Sequence, residues 1–196
     1  MKQLTTAVLL LLITLTAFAQ EEQPMEQGAQ DAGMQAWMEF MTPGDQHAMM
    51  AKGVGEWNVK NTYWFMPGAE PQVSEGTASA EMILGGRYLL TNHHGTVMGM
   101  PFEGMSIEAY DNAAEKFVSI WIDNMGTGLA VAEGNFDAET GLLVYEGSMT
   151  DPMTKEDAWF KETFNHVDEN TMVMEMFMKA PDGSEFKNME ITFTRK

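Results

Sequence analysis

The sequence contains no cysteine. That excludes disulfides, a thiol nucleophile and a lipoprotein anchor on a thiol, so the fold must be held by its core alone. Basic residues are scarce: 11 Lys and Arg stand against 29 Asp and Glu, a net charge of −18. Phosphate backbones and anionic lipid surfaces are bound by clustered Lys and Arg, and there is no such cluster, which argues against both as partners. Long apolar runs are missing after the first 19 residues, which leaves no transmembrane segment in the rest of the chain. Long helical periods are missing after Lys52. No Gly-x-Ser-x-Gly, His-Glu-x-x-His, Walker or dinucleotide-binding pattern occurs, so no recognised catalytic set recommends an enzyme.

What is present starts with a secretory pattern. Lys2 gives a positive start, Ala7 to Leu15 an apolar stretch, and Ala17-Phe18-Ala19 a small-x-small cleavage site. Residues 1–19 are therefore expected to be a signal peptide, cleaved after Ala19, and the protein periplasmic or secreted. Cleavage removes Lys2 and no acid, leaving 10 basic against 29 acidic residues, or −19. Residues 20–33 are polar and aperiodic and read as a disordered tether.

Residues 34–55 read as two short helices. Met34, Trp37, Met38 and Met41 share one helical face. Thr42-Pro43-Gly44-Asp45 then reads as a second start, with Thr42 as N-cap, Pro43 at the first helical position and Asp45 completing a capping box. Gly53 is expected to end that helix in a left-handed conformation.

From Glu56 the period changes from helical to two. Trp57, Val59, Tyr63 and Phe65 fall on one face, and Asn61 breaks that face as a polar anchor pointing inward. Nine further strands follow at near-regular spacing, separated by turn residues such as Gly85-Gly86, Asp111-Asn112 and Pro181-Asp182-Gly183. The pattern predicts an all-β fold over residues 56–196: an antiparallel up-and-down β-barrel of about ten strands with a short N-terminal helical segment. Closure removes the two aggregation-prone edges that an open sheet would keep.

Gly55-x-Trp57 after a short helix, followed by a strand meander with Arg195 near its end, resembles the calycin superfamily, which includes lipocalins, fatty-acid-binding proteins and nitrobindin-like barrels. The resemblance implies that Gly55, Trp57 and Arg195 form a structural closure, with Trp57 plugging one barrel end and Arg195 across its ring. Thr42-Pro43-Gly44, Glu81-Met82-Ile83-Leu84-Gly85-Gly86-Arg87-Tyr88-Leu89, Gly99-Met100-Pro101-Phe102-Glu103-Gly104, Ala109-Tyr110-Asp111-Asn112 and Trp121-Ile122-Asp123-Asn124-Met125-Gly126-Thr127-Gly128 resemble the bacterial family called domain of unknown function 1579 (DUF1579). The match departs at Ala109, where Gly is expected. It implies a lipocalin-like barrel and carries over no catalytic residue.

Twenty methionines are the sharpest compositional anomaly. Met172, Met174, Met176 and Met178 alternate with Glu175 and Lys179, so the thioethers are expected inward. Three readings fit: plain core filling, a plastic wall for an apolar ligand, and a Cu(I) site with Met98 and Met100 added. Of the histidines, His47 lies on the second helix, His93 and His94 face opposite sides of one strand, and His94 or His166 could serve an inward haem site. Glu103, Glu108, Asp111 and Asp123 are candidate acids, although Asp111 and Asp123 read better as turn caps.

The function this favours is binding of a small hydrophobic molecule, with no cofactor and no resident metal. Asn61, Tyr63, Phe65, Trp121, Met172, Met174, Met176 and Met178 are the expected wall. The alternatives are a haem or Cu(I) protein, and a filled barrel acting as an envelope interaction module.

Overall fold

Ten strands close on one another, each paired antiparallel with its neighbour in sequence and the last with the first. They are β1 (Gly55–Tyr63), β2 (Gln72–Ile83), β3 (Tyr88–Val97), β4 (Met100–Asp111), β5 (Lys116–Asp123), β6 (Ala130–Asp137), β7 (Leu142–Thr150), β8 (Asp157–Asp168), β9 (Thr171–Lys179) and β10 (Glu185–Arg195). This is a computed structural model that describes residues 27–196. The expected signal peptide and residues 20–26 of the expected tether lie outside the described residues. Among the described residues, 27–36 and Trp37–Lys196 belong to separate compact units, and the barrel lies wholly in the second.

Helix α1 spans Gln27–Met41 and α2 spans Asp45–Met50, which a 3-10 turn, Ala51–Gly53, carries into β1. The helical face of Met34, Trp37, Met38 and Met41 is present, but helix begins at Gln27, inside the stretch expected to be disordered. The last carbonyls of α1 are capped from the barrel: Asn112 Nδ2 donates to Glu39, Phe40 and Thr42 oxygens, and Arg87 donates to Met41. Those bonds give a role to two turn motifs, since Arg87 follows Gly85-Gly86 and Asn112 follows Asp111.

The caps of α2 differ from expectation. Gly44, not Thr42, is the N-cap, and the Gly44 N–H donates to His47 Nδ1 at 3.1 Å. The Thr42 hydroxyl donates back to Met38 O at 2.6 Å and so closes α1. Gly53 is not left-handed. It is small because the Leu89 side chain lies 3.0 Å from where a Cβ would stand. Gly55 has the positive φ, +136°, and the Arg195 guanidinium fills the space its Cβ would need.

The core follows the alternation. Trp57, Val59, Phe117, Tyr145, Phe160, Met174, Met176, Ile191 and Phe193 are buried. Aromatic edges run around the wall, with centroids 4.8 Å apart for Tyr110–Phe117, 6.5 Å for Phe117–Tyr145 and 5.8 Å for Tyr145–Phe164. The outer face carries ion pairs: Lys116–Glu133, Lys161–Glu185, and Lys187 with both Glu175 and Glu190. Exposed pairs of this kind contribute at most about 1 kcal/mol each. They show which face meets solvent, and Glu175 and Lys179 are on it. A bulge in β10 between Lys187 and Met189 leaves Asn188 without a register partner on β9, while its carbonyl accepts from the Trp64 N–H at 2.8 Å on the other side.

Candidate functional site

The barrel is not filled, contrary to the filled-barrel alternative above. Its interior is a chamber of two lobes, about 100 Å³ at the end covered by α2 and about 450 Å³ toward the other end. The inner lobe is bounded by Met49, Met50, Gly53 and Trp57. The outer lobe reaches Phe65, Val73, Val97, Met98 and Phe102, which belong to the strand ends and connections opposite α2. His93, Ser119, Trp121, Glu162 and Met174 line both lobes and mark their junction.

The closed end is held by Trp57 and Arg195, which are register partners on β1 and β10. Trp57 is 2% exposed, and its indole N–H donates to Gly53 O at 2.9 Å. The Arg195 guanidinium lies 4.2 Å from the ring. It also donates to Val54 O (2.7 Å), Lys52 O (3.1 Å) and Glu169 O (3.0 Å). One side chain thus ties the last strand to the 3-10 turn and to the β8–β9 connection.

Seven of the eight expected wall residues lie on the chamber. Asn61, Tyr63, Phe65 and Met176 line the outer lobe, Met172 the inner, and Trp121 and Met174 both. Phe65 stands at the rim, 62% exposed. Met178 lies on neither lobe and packs partly buried against the core. The methionine ladder therefore runs along the depth of the chamber. Met98 is at the rim, and Met100 is exposed and off the wall.

Trp121 is locked in place. Its indole N–H donates to Asp123 Oδ2 at 2.7 Å, and its ring lies against Phe102 (6.2 Å) and His93 (5.1 Å). Gly104 is required there, because a Cβ would stand 2.5 Å from the indole. Asp123 also accepts from the Met125 N–H, and Asp111 from Ala113 and Ala114, so both cap turns. Those backbone bonds hold Asp111 below the usual carboxylate range.

The inward histidine of β3 is His93, not His94. His93 packs on Trp121 and Phe193, and burial, with His94 beside it, pushes its imidazole down to about 4. His94 is exposed and only borders the outer lobe. His166 lines the inner lobe, with a pKa lowered by burial and by Lys52 and Arg195. His47 is buried under α2 with its ring edge on Tyr110, where burial and Arg87 lower its pKa.

Besides Asp123, which is tied to the Trp121 indole, two carboxylates face the chamber. Glu108 of β4 lines the inner lobe, and Glu162 of β8 lines the junction. Burial pushes Glu108 up to about 7, and burial, with Glu108 as neighbour, pushes Glu162 to about 7. Tyr145, opposite Glu162 in register, is fully buried, and its hydroxyl has no hydrogen-bond partner among the described residues. Burial and both carboxylates raise its pKa. Glu103 is exposed. Glu162 and Tyr145 escape sequence reasoning. The available signal is the alternation Phe160, Glu162, Phe164, which sets an acid on the inward face of a strand.

The family model described as "Protein of unknown function (DUF1579)" matches residues 42–195. No curated protein matches the chain. Among solved structures, Rv2717c from M. tuberculosis is similar at 11% identity with a TM-score of 0.59, covering 79% of this chain and 99% of that one. The S-type phycobiliprotein lyase CPES from Guillardia theta is similar at 11% identity with a TM-score of 0.56, covering 82% and 96%. Both are lipocalin-like barrels, and likeness at this identity is of fold.

Proposed function

Because the chain belongs to the DUF1579 family, whose description assigns no activity, we propose its function from its geometry: an exported protein that holds a small hydrophobic molecule inside the barrel. The observation that carries this reading is the outer lobe of about 450 Å³, whose wall surface is mostly apolar, with Met, Phe, Val and Ala side chains prominent on it, and which is reached from the end opposite Trp57. Small-molecule sites are roughly 300–1,000 Å³, apolar, with a few polar groups that orient the guest. Asn61, Ser74 and Asn188 supply such groups. The connections at the same end expose Phe65, Met66, Met98, Met125 and Met153, an apolar approach to the opening. Methionine walls reshape around different guests, so affinity should be broad and modest. Burial contributes about 25 cal/mol per Å² before ordering costs. One structural neighbour is by name a phycobiliprotein lyase, which is compatible with a barrel that accommodates a guest. Among the described residues no helix is long and apolar enough to cross a membrane.

Native mass spectrometry of the exported protein, with displacement of a fluorescent hydrophobic probe, tests the reading. A co-purified small apolar mass, or saturable probe binding weakened by Met174→Glu, is the expected result. A Soret band, or stoichiometric Cu(I) uptake lost in Met174→Leu/Met176→Leu, would replace it with haem or soft-metal binding. For export, N-terminal sequencing of secreted or periplasmic material should read from Gln20. Intact Met1 there would overturn it.

A further inference from the structure

We infer that the inner end of the chamber seats the positively charged head of an amphiphile, a protonated amine on an otherwise apolar molecule, between Glu108 and Glu162. The inference rests on the hydrophobic-ligand reading and specifies its guest.

Both carboxylates line the chamber, and no hydrogen bond or ion pair from the described residues reaches either of them. Unpaired carboxylates in an apolar enclosure are costly, and a chain built only for lipid tails would not keep two of them. A second set of observations points the same way. The Tyr145 hydroxyl, the Ser74 oxygen and the Asn188 side-chain oxygen are buried without hydrogen-bond partners among the described residues. Each of the three oxygens can accept a hydrogen bond from a guest's N–H group, and the two hydroxyls can donate as well.

No cation among the described residues fills the role. Arg195 is committed to three carbonyls and the Trp57 ring at the closed end. His93, the imidazole at the junction, is held neutral by burial. The other titratable groups on the wall are Tyr63 of β1, His94 of β3, Asp123 of β5 and His166 of β8, while β2, β6, β9, β10 and α2 place none there. Tyr145 of β7 is buried beside the two carboxylates. The lobes match the two halves of such a guest. About 100 Å³ holds a head group, and about 450 Å³ an apolar body. A fatty-acid carboxylate in the same pose would meet two like charges. The net charge of −18 adds a long-range attraction for cations.

Three probes of one chain length separate the possibilities: decylamine, decanol and decanoate, each displacing a fluorescent hydrophobe from the exported protein. At about pH 8 the amine should bind about tenfold more tightly than the alcohol, with decanoate weakest. The amine stays protonated throughout, while the carboxylates take up protons as pH falls, so its advantage should shrink at about pH 6. It should also vanish in Glu108→Gln/Glu162→Gln, which should bind the amine and the alcohol alike. Equal or tighter binding of decanol or decanoate overturns the head-group inference and leaves the cavity reading standing. An amine preference that persists in the double variant overturns the assignment to these residues. If none of the three binds, the hydrophobic-ligand reading itself falls. The far-ultraviolet circular dichroism of the variant confirms that it is folded.

Discussion

Glu162→Gln is expected to raise unfolding free energy by roughly 2–3 kcal/mol at about pH 8 and to change it little at about pH 4. The sign follows from proton counting. In the folded protein Glu162 is pushed from its ordinary 4.5 up to about 7. Between those values the native state holds a proton that the unfolded chain has released. Stability therefore falls as pH rises through that window, and above it the full cost of a buried charge is present. Glutamine removes the charge and keeps nearly the same volume, so the cost disappears at high pH only. Glu108→Gln should behave alike, and the double variant should gain less than the sum, because each charge makes the other harder to ionise. Urea unfolding of wild type and variants at the two pH values measures this, with contributions from all other groups cancelling in the difference. A variant gain that is the same at both pH values would show that Glu162 is freely solvated. The arrangement resembles a binding site more than a scaffold, since a residue that costs stability in the empty barrel has no structural reason to be there.

Trp57→Ala should be among the most damaging substitutions in the chain, costing about 3–5 kcal/mol. The side chain is almost fully buried, seals the closed end of the chamber, and carries Arg195 on its ring. Its loss opens a cavity and strands the Gly53 carbonyl, which now accepts the indole N–H. Arg195→Ala should cost less, about 1–2 kcal/mol, because its three carbonyl partners are exposed and can turn to water. The pair should be coupled by about 0.5–2 kcal/mol in a double-mutant cycle read by denaturant unfolding. Strict additivity would mean that the guanidinium and the ring sit together without energetic consequence.

Much of this architecture can be read from single strands. The alternation of Met172, Met174 and Met176 against Glu175 sets an inward and an outward face within β9, whatever surrounds it. The same parity places Ile191, Phe193 and Arg195 on one side of β10. Turn chemistry at Asp111-Asn112 and Pro181-Asp182-Gly183 sets where strands stop. These are local effects: the pleat repeats every two residues, and a turn is decided by the few residues in it.

The closed circuit decided the rest. Glu108 and Glu162 stand on β4 and β8, and only closure turns both toward one enclosed space. His93 rather than His94 faces inward, because parity along β3 is set by pairing with both neighbours, and one residue of register reverses it. Gly53 is not the left-handed residue expected, and the positive φ falls at Gly55, where the Arg195 side chain packs; the Leu89 and Arg195 side chains that crowd the two glycines come from distant strands. Helix α1 begins earlier than its apolar spacing marks, over residues that carry no periodic signal. Local sequence thus determined the strands, their faces and their order. Whether the faces enclose a chamber or a solid core depended on side-chain volumes summed around ten strands, a quantity that belongs to no single stretch of the chain.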